Sequence, residues 1–280
     1  MNISKNDSKR FWKLLDKLKA EDDNEIFVER MGSHKLKTAF ESILRGKNIP
    51  TCPPNSMEVG PLDYEITTEE LKNGSYVLRP GKSTGPEPIS YEMLDCIIEK
   101  KPTILIKLFN SILLNNGNTP GWYKSILILL YKKGSKTEPL NYRRISLLSC
   151  VSKLFTAILN KRLLAYCIEK KILKPNQLGF VPGNRCSDAH LIIQYLIQKY
   201  CHRQGKKLYG CFVDFSKAFD TISREKLFEK LLKHGINGNF YNVIKNMYFN
   251  DETRIKVGDH LSDVIYSNQE VRQGCILSPL

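Results

Sequence analysis

Apolar residues along this chain recur mainly at intervals of three and four, the spacing of helices that bury one face. Two such stripes lie near the N-terminus, in residues 11–18 and 36–44. Further along, Thr67 or Thr68 is placed to cap a helix. Pro102 then divides a long apolar stretch into two helices, because proline cannot continue a helix from its interior.

The middle of the chain combines a short apolar run with the longest helical pattern. Residues 125–131 are rich in isoleucine and leucine and predict a buried strand, and the polar residues 132–144 predict a loop. Residues 152–173 predict an amphipathic helix, with basic residues largely off its apolar face. Ser187 is placed to cap a further helix that reaches His202. The apolar face of the longest helix consists of Leu154, Phe155, Ile158, Leu159, Leu163, Tyr166 and Cys167.

The last third of the chain mixes strand and helix patterns. Residues 208–215 are apolar on both faces and predict a buried strand. Ser223 is placed to cap a helix that stops at the next glycine, and residues 240–249 predict another helix. Two short β-rich segments flank Gly258 and Asp259 and predict a hairpin. This mixture, without internal repeats, predicts an α+β fold.

The charge of the chain indicates a kind of binding partner. The 280 residues include 43 lysines and arginines and 29 acidic residues, which gives a net charge of +14. Such an excess favours a polyanion, either nucleic acid or an acidic membrane surface. Between residues 123 and 174, only Glu138 and Glu169 oppose twelve basic residues, and this concentration favours nucleic acid. The basic helix has an ordinary core stripe, which argues against the membrane. The twelve residues are Lys124, Lys132, Lys133, Lys136, Arg143, Arg144, Lys153, Lys161, Arg162, Lys170, Lys171 and Lys174.

The eight cysteines form no C-x-x-C pair and no cluster with histidine at zinc spacing. Neither a structural zinc site nor a disulfide scaffold is therefore predicted. The longest apolar run, residues 126–130, is far too short to span a bilayer, and the N-terminus lacks the apolar stretch of a signal peptide. We therefore expect a soluble intracellular protein of the cytoplasm or the nucleus.

A candidate for chemistry is FVDFSKAFD at 212–220, where Asp214 ends the predicted strand and Asp220 precedes a helix. On its own, such a pair is more typical of a turn and a helix cap. Four other blocks accompany it in order: GKSTGPEPIS (81–90), NYRRISLLS (141–149), QLGFVPGNRCSDA (177–189) and VRQGCILSPL (271–280). Together they resemble the successive blocks of reverse transcriptases from non-LTR (LINE-like) retrotransposons. The resemblance runs from about Gly81 to Leu280, and weakly through FWKLL near Phe11.

This resemblance implies the fingers and a partial, truncated palm of a right-hand polymerase, preceded by a helical N-terminal extension. Its boundaries would be 1–60 for the extension and a proline-rich linker, 61–110 for the start of the fingers, and 111–280 for the reverse transcriptase domain. The implied activity is that of an RNA-directed DNA polymerase, a nucleotidyltransferase. It would use an RNA template, a DNA primer and dNTPs, with two Mg²⁺ ions in the complete enzyme. A ribonucleoprotein with the element's RNA is a further implied partner, and no membrane is implied.

The resemblance also assigns site residues. Asp214 would be the catalytic carboxylate and a metal ligand, with the backbone carbonyl of Phe215 beside it, since Mg²⁺ prefers hard oxygen ligands. The ring of Phe219 would exclude a ribose 2′-OH, although an ordinary core phenylalanine fits the sequence as well. Residues that would contact the dNTP are Lys132, Arg143, Phe219, Gln273 and Gly274. Residues that would contact the template are Asn141, Gln177, Gly179, Phe180, Lys161 and Arg162.

Departures from the family's pattern leave two readings open. Arg144 stands where the family usually has proline, and Pro88 where it usually has glycine. The family's aromatic-x-Asp-Asp strand does not occur before Leu280, so we expect this polypeptide not to extend a primer. The alternative to a polymerase fragment is a non-catalytic nucleic-acid-binding remnant or domesticated module. For Phe180 a core position and a stacking surface are equally compatible with the sequence, and Lys132 also fits an ordinary solvated charge.

Overall fold

The computed structural model describes residues 27–45, 53–54, 59–115, 119, 121–215, 217–249 and 251–280. The stripe in residues 11–18 lies outside this set. The second stripe forms a helix, α1 (Ser33–Leu44), whose residues Leu36, Phe40 and Leu44 are buried. The helical prediction for residues 36–44 is therefore confirmed.

The next helices begin where the sequence offers caps. Thr67 accepts a hydrogen bond from the Glu70 amide, and the Glu70 carboxylate accepts one from the Thr67 amide, a complete capping box. The Ser90 side chain caps the next helix by accepting a hydrogen bond from the Met93 amide, and Pro102 opens the following helix. The predicted break near Pro102 is confirmed. These helices are α2 (Thr68–Ser75), α3 (Tyr91–Lys100) and α4 (Pro102–Leu114).

The longest helix, α5 (Cys150–Glu169), is buried along most of its length and ends four residues before the predicted limit. Lys171 has a positive φ of 54°, a left-handed conformation that ends a helix. The Ile172 amide then turns back to the Cys167 carbonyl at 2.9 Å. The remaining helices are α6 (Cys186–Leu196), which continues as a π-helical turn (Ile197–His202), α7 (Arg224–Lys233) and α8 (Gly238–Phe249). The predicted cap at Ser187 is wrong, because α6 already begins at Cys186 and Arg185 occupies the N-cap position.

A five-stranded mixed sheet lies between these helices, in the order β2-β1-β3-β4, with β5 paired to β3. β1 and β2 are antiparallel, whereas β1 and β3 are parallel. The prediction of a loop through residue 144 is wrong, because the residues from Tyr142 onward alternate buried and exposed side chains along β1. The strands are β1 (Lys124–Tyr131), β2 (Tyr142–Leu147), β3 (Asp251–Val257), β4 (His260–Leu261) and β5 (Ile265–Ser267).

The predicted hairpin is confirmed at its turn and corrected in its partner. Gly258, with a φ of 57°, allows β3 to reverse into the two-residue β4. The segment expected to be the second hairpin strand, β5, instead pairs with the beginning of β3, with Thr253 opposite Ile265. β5 thus pairs with the beginning of β3, at the opposite end of that strand from β4. The residues that follow β5 return to the helices, and Val271 packs in a hydrophobic cluster with them.

Two hydrophobic clusters hold the described residues together. The larger one surrounds α5 and includes Phe109, Trp122 and Phe155, whose rings contact one another at centroid distances of 5.1–6.3 Å. The smaller one lies between α1 and the sheet, where Phe40 and its neighbours cover apolar residues of β1, β3 and β5. The sheet therefore has the N-terminal helix α1 packed against it.

The strand predicted for residues 208–215 does not form, so that prediction is wrong for this structure. Tyr209, Phe212 and Phe215 are exposed by 86%, 88% and 77%, and the segment has no regular secondary structure. A buried strand needs neighbouring strands for its amides and carbonyls and a layer over its apolar face. No strand within the described residues pairs with this segment. Among the helices of the described ranges, none is long and apolar enough to cross a membrane.

Candidate nucleic-acid and nucleotide site

Three of the sequence blocks meet at one place, which we call the motif junction and define as residues 142–147, 217–222 and 269–274. The Val271 amide donates to the Phe219 carbonyl at 3.1 Å, and the Glu270 amide donates to the Ile222 carbonyl at 3.0 Å. The side-chain amide of Gln269 donates to the Asp220 carbonyl at 3.2 Å. The turn of FSKAFD is thereby attached to the segment that leads into VRQG.

The VRQG block also contacts β2 directly. The Ser146 amide donates to the Gln273 carbonyl at 2.9 Å. Gly274 has a φ of 136°, and a Cβ at this position would lie 2.5 Å from the Ser146 carbonyl oxygen. Only glycine combines this backbone conformation with this approach. Gln273 is half-buried and Gly274 exposed, so the backbone of VRQG is fixed while this end of the block faces solvent.

A fourth block approaches the end of β2. Gly85, in GKSTGPEPIS, lies so close to Leu148 that a Cβ would meet the Leu148 carbonyl carbon at 2.3 Å. This contact explains a glycine at residue 85. Pro88, the departure from the family's pattern, lies in the same loop and is exposed, so a proline ring is accommodated there.

Phe219 lies at the edge of the larger hydrophobic cluster. Its ring is partly buried and packs against that cluster, while its backbone carbonyl accepts the Val271 amide. The prediction of a core phenylalanine therefore accounts for the part of the ring that packs against the cluster. Phe219 also belongs to the motif junction, where its hydrogen-bonded partner Val271 lies two residues before Gln273.

The candidate triphosphate residues lie where β1 ends and β2 begins. Arg143 is exposed in β2, opposite Leu130, and Lys132 is exposed directly after β1. Asn141 has a structural task in this turn: its side-chain amide donates to the Ser135 carbonyl at 2.9 Å, and its own carbonyl accepts the Lys132 amide at 3.0 Å. The Asn141 side chain thus fixes the loop that carries Lys132.

The candidate template residues of the third block form an exposed loop. The Gln177 side chain donates to the Gly179 carbonyl at 3.0 Å. Phe180 is 70% exposed, which excludes the core interpretation in this structure. Its φ of 60° is unusual for an aromatic residue and holds the ring on the outside of the loop.

Lys161 and Arg162, both expected on a nucleic-acid surface, have different environments. Lys161 is exposed, and its ammonium group donates to the Asn73 carbonyl. Arg162 is buried: it forms a salt bridge with Glu70 at 2.6 Å and donates to the carbonyls of residues 62, 64 and 65. Its guanidinium also lies over the Tyr64 ring at 3.8 Å.

The prediction for Arg162 is therefore corrected, because its donors are occupied inside the fold and it attaches the segment before α2 to α5. Burial raises the pKa of Glu70, but hydrogen bonds from the Arg162 guanidinium and Thr67 outweigh burial and leave that pKa below its usual value. A contact that keeps Glu70 charged stabilises the fold rather than a bound phosphate.

Asp214 and Phe215 lie in the exposed segment after residue 208. Within the described residues, no three histidine, cysteine, aspartate or glutamate side chains form a group that could hold a metal ion. One carboxylate and a backbone carbonyl do not by themselves hold the two divalent ions of a nucleotidyl-transfer centre, which need several oxygen ligands between them. The described residues therefore do not form a complete divalent-metal site.

Sequence reasoning missed a buried ionic network beneath the motif junction. Asp251, at the start of β3, accepts hydrogen bonds from Arg224 at 2.6 Å and from Arg272 at 2.8 Å. All three side chains are at most 3% exposed. Both guanidinium groups also lie within 5.5 Å of the Tyr248 ring centroid. The charge pattern gave no signal for this network, because its members are distant in sequence and each resembles a surface residue.

A second buried cluster contains Arg144, which the sequence left without a role. Its Nη2 lies 2.7 Å from an Asp220 carboxylate oxygen and 3.1 Å from one of Glu270. Burial raises the pKa of Glu270 to about 8, because Asp251 and Asp220 add negative charge and the attraction of Arg144 is too small to compensate. At neutral pH Glu270 therefore holds a proton, and Asp220 is the principal charge partner of Arg144.

Comparison with known proteins identifies the class. Residues 131–280 match the family model described as reverse transcriptase (RNA-dependent DNA polymerase). The chain belongs to the reverse transcriptase family.

Several relatives come from non-LTR retrotransposons. The chain is 26% identical to a probable RNA-directed DNA polymerase from transposon BS of Drosophila melanogaster, over 80% of this chain and 24% of that protein. It is 27% identical to the retrovirus-related Pol polyprotein from the type-2 retrotransposable element R2DM of the same species, over 77% and 19%. It is 31% identical to the corresponding protein of a type-1 element R2 of Popillia japonica, over 63% and 24%. The chain thus matches about a quarter or less of the length of these relatives.

Proposed function

We propose that this chain forms the fingers and the first part of the palm of an RNA-directed DNA polymerase, and that it binds an RNA template paired with a DNA primer. The observation that carries this proposal is the motif junction, where three blocks that are far apart in sequence are joined by backbone hydrogen bonds. The proposed boundaries are residues 61–110 for the start of the fingers and 111–280 for the reverse transcriptase domain, after an N-terminal extension in residues 1–60.

In the proposed complex, a dNTP binds beside the motif junction. Exposed Lys132 and Arg143 contact its triphosphate, for which a guanidinium supplies paired donors. The free side of the Phe219 ring lies under the sugar and clashes with a 2′-hydroxyl. Gln273 and Gly274 lie against the nascent base pair, where the constrained glycine permits close approach.

The template path is proposed to follow the exposed loop of Gln177, Gly179 and Phe180. The 70% exposure of the Phe180 ring supports base stacking, which tolerates any template sequence. Exposed lysines of α5 and the turn after it, Lys161, Lys170 and Lys171, add phosphate contacts. Asn141 contributes by holding the Lys132 loop, and Arg162 is left out of the interface because it is buried. Binding to the element's own RNA as a ribonucleoprotein would use the same surface.

Reverse transcriptases use divalent metal ions, and we assign Asp214 and the Phe215 carbonyl as ligands that this chain offers to Mg²⁺. Mg²⁺ prefers hard oxygen ligands, and the Asp214 carboxylate and the Phe215 carbonyl both supply them. Further carboxylates are needed for a two-ion centre.

A second candidate function is nucleic-acid binding without catalysis. It is favoured by one observation: among the described residues, no three histidine, cysteine, aspartate or glutamate side chains form a group that could hold a metal ion. Because we expect this polypeptide by itself not to extend a primer, the two functions are separated by primer extension on an RNA template, with dNTPs and Mg²⁺, in a form that also carries an aromatic-x-Asp-Asp strand. Extension that disappears in Asp214→Asn supports the polymerase, whereas tight hybrid binding without extension supports the binding module.

The binding proposal is tested by titrating an RNA–DNA hybrid with the chain at several salt concentrations. Replacing Lys161, Lys170 and Lys171 by glutamine should reduce the slope of log affinity against log salt by roughly 2–3, at about 0.9 per lost phosphate contact. The matched control replaces three exposed lysines of α7, Lys226, Lys230 and Lys233, and should leave the slope unchanged. Equal slopes in both triple variants would contradict the assigned surface.

A further inference from the structure

Arg144 is a departure from the family's pattern that the proposed polymerase chemistry leaves unassigned. The residue lies in the middle of β2, opposite Leu129, with its side chain 7% exposed. The Phe40 ring of α1 covers the guanidinium at 5.5 Å, which removes it from water. A buried arginine at this position needs partners, and the structure supplies two carboxylates from two different blocks.

The two carboxylates belong to the segments that form the motif junction. Asp220 directly follows Phe219, and Glu270 lies three residues before Gln273. The guanidinium contacts both side chains through one nitrogen, at 2.7 and 3.1 Å. It therefore spans the same two segments that the amides of Glu270 and Val271 join through Ile222 and Phe219.

The charge of the Arg144 guanidinium attracts the two segments that carry these carboxyl groups. Without the guanidinium, the half-buried Asp220 carboxylate would lose the cation that compensates its charge, and the buried Glu270 carboxyl group would lose the contact that it shares with Asp220. The backbone hydrogen bonds alone would then have to hold the segments together. With the guanidinium in place, Arg144 attracts both segments towards β2, where the Ser146 amide donates to the Gln273 carbonyl.

We propose that Arg144 is a positioning residue, a buried clamp that holds the FSKAFD turn against VRQG and so fixes the spacing between Phe219 and Gln273 in the nucleotide subsite. Its consequence for nucleotide selection rests on the function proposed above. Arg144 itself touches no substrate, and it acts through the two segments that it joins.

Hydrogen–deuterium exchange of the Glu270 and Val271 amides tests the clamp directly. Arg144→Met should accelerate both amides by about tenfold or more, since a buried ion pair is broken locally. Arg254→Met, the same change at an exposed position of β3, should alter them by less than about twofold. Unchanged amides in Arg144→Met would overturn the proposal. So would an equal acceleration of the α3 amides, which would indicate general loosening.

Two further measurements separate positioning from a purely structural role. Arg144→Lys keeps the charge and should recover part of the protection, whereas recovery no better than in Arg144→Met would argue against the charge-based clamp. Binding of Mg-dNTP and Mg-rNTP to the chain with an RNA–DNA hybrid should show a lower dNTP preference in Arg144→Met. Equal losses for both nucleotides would overturn the link to Phe219. If the unsubstituted chain binds neither nucleotide, the nucleotide subsite is refuted, and the exchange result alone decides the clamp.

Discussion

Asp251→Asn is the perturbation for which the structure makes the strongest stability prediction. The carboxylate lies between Arg224 and Arg272, and all three side chains are buried. Asparagine preserves the shape of the side chain but removes its charge. One of its two terminal groups also becomes an NH₂ donor that faces guanidinium donors.

The expected loss of stability arises because two guanidinium groups remain buried after the carboxylate is removed. Arg224 and Arg272 keep their bonds to backbone carbonyls, among them those of Tyr248 and Met247, but they lose the charged hydrogen-bond acceptor that they share. Removing one partner of a buried ionic network typically costs about 3–5 kcal/mol. At roughly 2–4 °C per kcal/mol for a chain of this size, the melting temperature should fall by about 6–20 °C.

Thermal unfolding followed by circular dichroism checks this value, with urea denaturation as a second measure. Asp263→Asn is the matched control, because Asp263 also pairs with a basic residue, Lys37 at 3.1 Å, but is 83% exposed. An exposed pair contributes at most about 1 kcal/mol and is screened by salt. If Asp251→Asn lowers the melting temperature no more than Asp263→Asn does, the assignment of Asp251 as the centre of the network is wrong.

Three further outcomes are expected. Because the pKa of Glu270 is about 8 in the folded chain and 4.5 in its ordinary state, the folded chain retains a proton between these values and loses stability as pH rises through this window. Glu270→Gln should remove that loss, so melting temperatures measured from pH 5 to 9 should diverge in favour of the variant at the alkaline end; parallel curves would count against it. Gly274→Ala should cost about 3 kcal/mol or more by urea denaturation, because its Cβ would meet the Ser146 oxygen, whereas Gly183→Ala, at a φ of 87° in open space, should cost only about 1–2 kcal/mol. In a primer-extending form of the protein, Phe219→Ala should retain dNTP incorporation and admit ribonucleotides, as measured by extension with each nucleotide set, and unchanged exclusion would refute the proposed gate.

The sequence by itself determined the local elements and the family. Helices α2 and α7 begin at the predicted caps Thr67 and Ser223, because a cap depends only on side chains within one turn. The strand β1 followed from a short apolar run, and the helix α5 followed from apolar residues at helical spacing. The ordered blocks identified the reverse transcriptase family, since each block specifies chemistry in a few adjacent residues.

Only the tertiary structure decided which charged residues are buried and what the apolar segments pair with. Arg143 and Arg144 are neighbours in sequence, yet the alternation of β2 exposes one and buries the other between Asp220 and Glu270. Lys161 and Arg162 are also neighbours in sequence, yet on α5 Lys161 is exposed and Arg162 is buried against Glu70. Residues 208–215 have the pattern of a buried strand but form none here, because strand formation depends on partners elsewhere in the chain. Burial, pairing and ion-pair formation depend on residues that are distant in sequence, and local patterns do not contain that information.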